Sequence, residues 1–392
     1  MIKILYITPF FNYPPRDGAS LRSIRLFEKL YETNCIDVFT YNNDSINSKV
    51  LEKFTNCTFY FFSSNHEKPK PLTFFNRLFS KKLPGFSSHD PKSIAKDINE
   101  LISENGDYDI YYFATQLMGQ AFIFKKQPGT FIIDLYDVYT TYSGSKKEGI
   151  SFFRPFYWLF FIEAKRIQKF EIKILNQFDH VFVTCKEDYK SIQNLLPKAT
   201  IHEIPNGVNY PDKVKICKGE SLLMVANFDY AGNEEGINWF CDLVWPIIKE
   251  KNDNINLNLV GKYPERLKDR IKNEPRISLM GLVSTLDQYY ENVACVIIPL
   301  FNDGGTKTKL LEAMAYGVTI VSTSIGAKGF SDVSTIKISD EPISFAQSIL
   351  DVIDQDINKD DLLEGRKLIK DNFTWEKIGD KLNDTLPSLV KN

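Results

Sequence analysis

The sequence predicts an α/β protein made of two domains, each with a parallel β-sheet between layers of helices. Short runs of β-branched and aromatic residues alternate along the chain with longer runs of helix formers, which is typical of parallel sheets covered on both faces. The chain has 392 residues, a length that suits two domains of ordinary size. The turn cluster IPNGVNYP at 204–211 lies midway along the chain and marks the expected domain boundary.

Composition and charge exclude several classes of protein. Hydrophobic residues make up 43% and charged residues 25% of the chain, as in globular proteins with a substantial core. The net charge of −2 gives no reason to expect nucleic-acid binding. The six cysteines are scattered without a CxxC motif and the four histidines lack metal-ligand spacing. We therefore expect reduced thiols and no metal site.

Hydropathy indicates a cytoplasmic protein. No stretch reaches the ~18 apolar residues that a membrane-spanning helix needs. The opening MIKILYITPF is broken by Pro9 too early for a signal peptide. Two aromatic and basic segments, 72–86 and 151–166, are either core helices that form a wall for an acceptor or amphipathic segments that contact the inner face of a membrane.

The first half predicts six strands separated by helices or loops: 2–7, 36–41, 58–62, 110–114, 131–135 and 180–184. The first strand leads into a loop that ends at Gly18 and a helix from about Ser20, the opening order of nucleotide-type α/β units. Arg22, one turn inside this helix, either faces the ligand crevice or forms a surface salt bridge. Asp137 follows the strand that ends near Asp134. Because strand C-termini face the crevice in open α/β sheets, Asp137 is either a crevice carboxylate or a helix cap.

The second half repeats the alternation of strands and helices. Three segments each contain a strand followed by a loop: 222–240, 255–264 and 277–290. Asn227 lies in the first of these loops, and the other two strands reach Gly261 and Gly281. Val283 is placed to pack against a nucleobase. The alternative is that Gly261 and Gly281 are ordinary turn glycines with no role in ligand binding.

The stretch 296–323, VIIPLFNDGGTKTKLLEAMAYGVTIVST, predicts a strand, a glycine turn, a helix and a second strand. Gly304 and Gly305 permit close approach of the backbone to a ligand. Gly317 stands where a C-cap glycine belongs. A strand, a glycine turn and a helix in this order can bind a ligand at the start of the helix.

Two lysines, Lys307 and Lys309, fall at the expected start of this helix. That end already carries partial positive charge and unpaired N–H groups, so a bound anion would offset an unfavourable arrangement. The glycines, N–H groups and lysines together form a candidate diphosphate cradle. Glu312, about one turn further on, is placed to accept hydrogen bonds from two ribose hydroxyls. The alternative is an ordinary surface pair between Lys309 and Glu312, which contributes only about 0.2–0.5 kcal/mol.

The motif GGTKTKLLEAMAYGVTIVST resembles the GGTRLKxLEAMAxGxPVVST signature of the retaining glycosyltransferase family 4. Looser matches extend over nearly the whole chain. The loop before Gly18 resembles PPxxGGxxR, and 131–171 resembles vvDxxDvxS…ExxRlxxyE. The turn at 204–211 resembles IPNGVD, and the loop near Asn227 resembles GNFDYPPN. The resemblance implies the GT-B fold, in which two Rossmann-like domains face each other across a cleft.

The resemblance also implies a division of labour along the chain. Residues 1–205 would bind the acceptor, 206–372 the nucleotide sugar, and 373–392 would form a helix that crosses back to the first domain. The implied catalytic residues are Lys307, Lys309 and Asp137. The implied donor-binding positions are Gly18, Asn227, Gly261, Gly281, Val283, Gly304, Gly305, Thr306, Thr308, Leu310 and Glu312.

The implied activity is retaining, metal-independent hexosyl transfer without a cofactor. The sugar would pass from a UDP- or GDP-linked donor to a glycan or lipid-linked acceptor, in the synthesis of cell-surface polysaccharide or glycoconjugates. Gly304 replaces the family glutamate that contacts the sugar, and Asn227 and Asn233 replace an arginine and a lysine. A non-catalytic nucleotide-sugar-binding subunit is therefore the alternative. A Rossmann dehydrogenase fits less well, since the chain has no clear GxGxxG motif.

Overall fold

The computed structural model describes residues 1–15, 18–41, 46, 48–62, 91–119, 128–136, 138, 157–214, 216, 219–301, 308–356 and 358–391. The side chains of residues 19, 91, 157–161 and 163 are not described. Several predicted features lie outside the described residues, namely 72–86, Asp137 and 304–307. The segment 151–166 lies partly outside them.

The described residues divide into two compact units. The first unit contains the described residues of Met1–Asn206 and Trp375–Asn392. The second unit contains those of Gly207–Asp303 and Lys307–Thr374. Among the described residues, the chain passes from the first unit to the second after Asn206 and is back in the first unit from Trp375.

The first unit is built on a seven-stranded sheet whose neighbouring strands are all parallel, in the order β3-β2-β1-β4-β5-β6-β7. Its strands are β1 (Lys3–Ile7), β2 (Cys35–Thr40), β3 (Thr58–Phe61), β4 (Ile110–Phe113), β5 (Thr130–Leu135), β6 (His180–Val183) and β7 (Thr200–Glu203). The six predicted strands are confirmed within one or two residues at each end. The seventh was not predicted.

Helices cover both faces of this sheet. They are α1 (Gly18–Tyr31), α2 (Ser48–Lys53), α3 (Pro91–Asn105), α4 (Gln116–Gly119), α5 (Tyr157–Leu175) and α6 (Lys186–Leu195). Successive strand residues point to opposite faces, so Leu5 and Ile7 belong to one core cluster while Ile4 and Tyr6 belong to another. Both clusters are fully enclosed, which explains the continuous apolar runs in the sequence.

The second unit has a six-stranded parallel sheet in the order β10-β9-β8-β11-β12-β13. Its strands are β8 (Ser221–Val225), β9 (Asn256–Val260), β10 (Ile277–Gly281), β11 (Val293–Ile298), β12 (Thr319–Ser322) and β13 (Ile336–Ile338). The predicted α/β class with two parallel sheets is confirmed.

Seven helices accompany this sheet in the described part of the unit. They are α7 (Ala231–Trp239), α8 (Trp245–Lys251), α9 (Glu265–Ile271), α10 (Asp287–Tyr290), α11 (Thr308–Ala315), α12 (Pro342–Asp354) and α13 (Lys359–Asn372). A short π-helical segment, Phe240–Val244, joins α7 to α8.

Helix α11 ends at the predicted glycine. Gly317 has a φ of 67°, its N–H donates to the Met314 carbonyl, and the Val318 N–H donates to the Ala313 carbonyl. These two bonds form a Schellman motif, which satisfies carbonyls that the helix end would leave unpaired. The Arg366 guanidinium also donates to the Ala315 carbonyl, so the helix end is fixed from two sides.

The last helix, α14 (Trp375–Thr385), belongs to the first unit. Trp375, Ile378 and Leu382 are buried in the same core cluster as Phe27 of α1. A β-carbon on Gly379 would clash with the side chain of Lys29, so the two helices approach closely at this point. The end of the chain is held as well, because Thr130 donates its hydroxyl proton to the Leu389 carbonyl at 2.8 Å.

Candidate functional site

The candidate site lies at the carboxyl ends of the strands of the second unit. In a parallel sheet these ends share one edge, which is where ligands bind in open α/β proteins. Asn227 follows β8, Gly261 follows β9, Gly281 ends β10, and Val283 comes two residues later. Helix α11 begins beyond β11 on the same side of the sheet. The structure therefore brings these predicted residues to a single edge.

Gly261 is required for the packing of this edge. Its φ is 128°, and a β-carbon at this position would clash with the carbonyl of Ala226. Its N–H donates to the Gly281 carbonyl at 2.8 Å, which ties the loop after β9 to the end of β10. The Phe228 N–H donates to the Lys262 carbonyl at 2.7 Å. Gly261 thus has a structural reason to be glycine, independent of a ligand.

The Lys309 ammonium is held by an asparagine from a neighbouring loop. Its Nζ donates to Asn233 Oδ1 at 2.6 Å, and Asn233 Nδ2 donates to the Asn227 carbonyl at 2.8 Å. Asn233 is only 8% exposed, whereas Lys309 is half-buried. Asn227 orders its own loop, since its Oδ1 accepts from the Asp229 N–H at 3.1 Å.

Glu312 is partly buried on α11. Burial raises the pKa of its carboxyl from 4.5 to about 7, although the charge of Lys309 acts in the opposite direction. No hydrogen bond to this carboxylate is found among the described residues. A carboxylate in such an environment is short of donors, and two hydroxyl groups of a ligand would supply them.

Two stacked tyrosines lie beside Glu312. The rings of Tyr290 and Tyr316 are 4.0 Å apart at an angle of 2°. Burial, and then the charge of Glu312, raise the pKa of Tyr290 well above its usual value. Its hydroxyl has no hydrogen-bond partner within the described parts of the chain, while Tyr316 donates to Asp287 at 2.6 Å. The charge of Glu312 contributes to the raised pKa of both tyrosines, so both hydroxyl groups lie within its electrostatic range.

The alternative of a surface Lys309–Glu312 pair is not observed. Across the residues that the structure describes, these two side chains form no ion pair within 4.0 Å. Lys309 contacts Asn233 instead, and Glu312 is partly buried. The two charges on α11 therefore serve different contacts.

The remaining predicted site residues fall in three groups. Thr308 begins α11 and is half-buried, whereas the Leu310 side chain is fully buried in the core, so only its backbone can meet a ligand. Gly18 begins α1 in the first unit and is exposed. The others lie outside the described residues: Asp137, Gly304, Gly305, Thr306 and Lys307.

Arg22 is neither a surface residue nor one directed at solvent. Arg22 and Asp134 are each 2% exposed and form an ion pair at 2.7 Å. Tyr112 donates its hydroxyl proton to Asp134 at 3.0 Å. Arg22 also donates to the Pro205 carbonyl at 3.1 Å and to Asn206 Oδ1 at 3.0 Å. A surface salt bridge, one of the two alternatives for Arg22, is therefore wrong, because Arg22 is buried and links α1 and β5 to residues 205 and 206.

The described residues offer neither a metal site nor a membrane-spanning helix. The described part of the chain contains no group of three or more His, Cys, Asp or Glu residues able to hold a metal ion. No helix among those same residues is both long enough and apolar enough to cross a bilayer.

The two parallel α/β units, with a candidate ligand-binding edge on the second, are the architecture of the GT-B fold. Sucrose-phosphate synthase from Thermosynechococcus elongatus superposes with a TM-score of 0.71 at 17% identity, over 99% of both chains. HepE from Anabaena, in complex with UDP and glucose, has a TM-score of 0.68 at 15% identity, over 99% of this chain and 100% of its own. TarM from S. aureus, in complex with fondaparinux, α-GlcNAc-glycerol and UDP, has a TM-score of 0.69 at 12% identity, over 98% and 99%. The predicted GT-B fold is confirmed.

The family match falls in the range of the second unit. Residues 219–355 match the family described as glycosyl transferases group 1. An "Uncharacterized 44.6 kDa protein in cps region" of Klebsiella pneumoniae is 26% identical over 140 residues, which are 33% of this chain. The match spans 36% of that relative's length. The matched segment contains helix α11 and therefore Lys309 and Glu312.

Proposed function

We propose that the chain is a retaining glycosyltransferase that transfers a sugar from a nucleoside-diphosphate donor to a glycan or lipid-linked acceptor. The observation that carries the proposal is the placement of Lys309 and Glu312 on one helix, α11, at the carboxyl edge of the second sheet. That helix lies within the segment that matches the glycosyl transferases group 1 family. The edge is where an α/β domain binds a nucleotide.

The two side chains have complementary tasks in the donor complex. Ionised Glu312 accepts hydrogen bonds from the two ribose hydroxyls, which are donors that the described residues of the protein do not supply. Lys309 is three residues nearer the start of α11, roughly 4.5 Å along the axis. It therefore contacts the diphosphate, which adjoins the ribose, and the helix N-terminus adds to the attraction.

Lys309 and Lys307 also promote the chemical step. The bond between the sugar and the diphosphate breaks through an oxocarbenium-like transition state, and the leaving diphosphate takes the proton of the acceptor hydroxyl. Negative charge grows on the diphosphate as this bond breaks, and the lysines stabilise it. Loss of one such contact typically lowers the rate by ~10²-fold or more. Asp137 orients hydroxyl groups of the acceptor or the donor.

The donor is proposed to be linked to UDP, with GDP as the alternative. Support comes from the similar structures of HepE and TarM, both of which are complexes with UDP. A hexosyl group and metal-independent transfer remain predictions of the family resemblance. The name of the Klebsiella pneumoniae relative, a protein in a cps region, supports a role in surface polysaccharide synthesis. WaaG, another similar structure, is described as involved in lipopolysaccharide biosynthesis.

Location and acceptor contact extend the proposal to the first unit. We place the enzyme in the cytoplasm, with 72–86 or 151–166 contacting the inner face of the membrane when the acceptor is a lipid. These segments lie wholly or partly outside the described residues. The support is therefore their composition, which combines aromatic and basic side chains.

A non-catalytic nucleotide-sugar-binding subunit is the second candidate. The observation in its favour is the neutral character of positions 227 and 233, where asparagines bond to each other and to Lys309. Fewer cations around the diphosphate would weaken stabilisation of the transition state more than they weaken binding. This candidate predicts donor binding without sugar transfer.

The test is a thermal-shift panel of UDP, GDP, ADP and their sugars on the wild type, Glu312→Gln and Glu364→Gln. Glu364 is exposed on α13 and serves as the matched control. We expect one nucleotide to stabilise the wild type and the control but not Glu312→Gln. A ligand at 100 times its Kd stabilises by about 2.7 kcal/mol. Absence of any shift would overturn the proposal.

Turnover separates the two candidate functions. The nucleotide sugar found in the panel is incubated with acceptor glycans and lipid-linked glycans, and release of the nucleoside diphosphate is measured. The anomeric configuration of the product is then read by NMR. Transfer with retention supports the enzyme, and inversion would refute the retaining assignment. Tight binding without transfer to any acceptor would favour the subunit.

A further inference from the structure

We propose that Asn233 is a positioning residue that holds the Lys309 ammonium ready for the diphosphate of the donor. The inference rests on the proposed function, because it assigns the diphosphate to Lys309. The observation behind it is the 2.6 Å hydrogen bond from Lys309 Nζ to Asn233 Oδ1. This contact joins residues 76 positions apart, and the family resemblance does not provide it.

The orientation of the Asn233 amide follows from its two partners. Nδ2 donates to the Asn227 carbonyl at 2.8 Å, and Oδ1 accepts from Lys309. Rotating the amide by 180° would place a donor against the ammonium and an acceptor against a carbonyl, so both contacts would become repulsive. One arrangement satisfies both neighbours. The acceptor is therefore aimed at Lys309 before any ligand arrives.

The backbone that carries Asn233 is fixed as well. The Asn233 N–H donates to the Tyr230 carbonyl at 3.0 Å at the start of α7. Three residues further on, a β-carbon at Gly236 would clash with the carbonyl of Pro299. Helix α7 thus lies directly against the segment that follows β11 and leads towards α11. Asn233 and Lys309 are anchored to neighbouring parts of one sheet edge.

Lys309 needs such a contact because of its place in the helix. The second residue of α11 lies at the positive end of the helix dipole, where a cation is repelled. A lysine side chain also has many rotamers and would turn towards solvent. The hydrogen bond to Asn233 restricts those rotamers and keeps the Lys309 ammonium at the carboxyl edge of the second sheet. An ammonium has three protons, so this bond is compatible with a second acceptor on a diphosphate.

An amide suits this task better than a charged group. An aspartate would hold Lys309 but would cancel its charge. A lysine or arginine would add charge but would repel the ammonium. The neutral oxygen of Asn233 orients the cation without neutralising it. This explains how a site with asparagine at positions 227 and 233 can still bind a diphosphate.

The test compares a ligand that has a diphosphate with one that lacks it. The affinities of UDP and uridine, with GDP and guanosine in parallel, are measured by calorimetry on the full chain. The proteins are the wild type, Asn233→Ala, Asn233→Asp and the control Asn238→Ala, which changes another asparagine on α7. We expect both Asn233 variants to lose about tenfold or more in affinity for the diphosphate. Nucleoside affinity should stay unchanged in all four proteins.

A double-mutant cycle distinguishes an effect of Asn233 through Lys309 from a general disturbance of the structure. Asn233→Ala is combined with Lys309→Met, and the ratio of diphosphate to nucleoside affinity is compared with that of each single variant. We expect the double variant to lose no more diphosphate affinity than Lys309→Met alone, because Asn233 acts through Lys309. Equal losses for diphosphate and nucleoside, or additive losses in the cycle, would overturn the inference while nucleotide binding stands. If the wild type binds none of the four ligands, the proposed function fails and the inference fails with it.

Discussion

Replacing Glu312 with glutamine is expected to stabilise the protein at neutral and alkaline pH. Burial raises the pKa of this carboxyl from 4.5 to about 7 in the folded state. Between these two values the folded state binds a proton that the unfolded state has released. The free energy of unfolding therefore falls as pH rises from 4.5 to 7, and the loss persists at higher pH.

The size of the effect follows from the shift. One pKa unit corresponds to about 1.36 kcal/mol, so a shift from 4.5 to about 7 amounts to about 3 kcal/mol at pH 8. Glu312→Gln keeps the shape of the side chain but carries no charge. We expect the variant to exceed the wild type by up to ~3 kcal/mol at pH 8 and to match it near pH 4.5.

The assay is urea unfolding at pH values from 4.5 to 8.5, with hydrogen exchange of β11 and β12 to report on the second unit. Glu364→Gln, an exposed replacement on α13, is the control and should follow the wild type at every pH. A difference between Glu312→Gln and the wild type that is the same at pH 5 and pH 8 would refute the reasoning. The carboxyl would then not be desolvated in the fold.

Three further predictions concern other parts of the structure. Nucleoside affinity should rise about tenfold between pH 6 and pH 8 as Glu312 ionises, and a flat profile in calorimetry would contradict the ribose contact. Arg22→Met should destabilise the protein by ~3–5 kcal/mol, because the Asp134 carboxylate stays buried without its charged partner. In urea unfolding, the Arg22→Met/Asp134→Leu double variant should lose less unfolding free energy than Arg22→Met. An equal loss in the two variants would count against the ion pair. Gly261→Ala should lower the unfolding free energy by at least ~2 kcal/mol, because its φ is 128° and a carbonyl occupies the space. Gly18→Ala, which meets nothing within 4 Å, should be neutral in the same assay.

The strands that the sequence failed to reveal are the last strands of their sheets. β7 and β13 lie at the edges of the seven-stranded and six-stranded sheets. Edge strands are covered less completely, so they tolerate polar residues and can be short. β7 ends in His202 and Glu203, and β13 has three residues with Lys337 in the middle. The central strands were predictable because burial on both faces makes them continuously apolar.

In the candidate site, too, features that are local in the sequence were predictable, whereas contacts between distant residues were not. Lys309 and Glu312 were predictable because their spacing on one helix is a local pattern. The contact of Lys309 with Asn233 spans 76 positions, and that of Arg22 with Asp134 spans 112. No periodicity in a single sequence indicates such pairs, since only the arrangement of strands brings them together. From the sequence alone, position 233 therefore indicates only the absence of a cation, whereas the structure shows that Asn233 is the partner of Lys309.

The return of α14 to the first unit has a consequence for how the protein is made. Among the described residues the second unit is inserted in the first, and its entry and exit segments lie side by side, since the Val208 N–H donates to the Phe373 carbonyl at 2.8 Å. On the ribosome, Trp375 emerges only after the whole second unit. Until then the apolar side of α1 that Trp375, Ile378 and Leu382 cover stays exposed. The second unit can thus finish folding while the first, although synthesised earlier, still awaits its last helix.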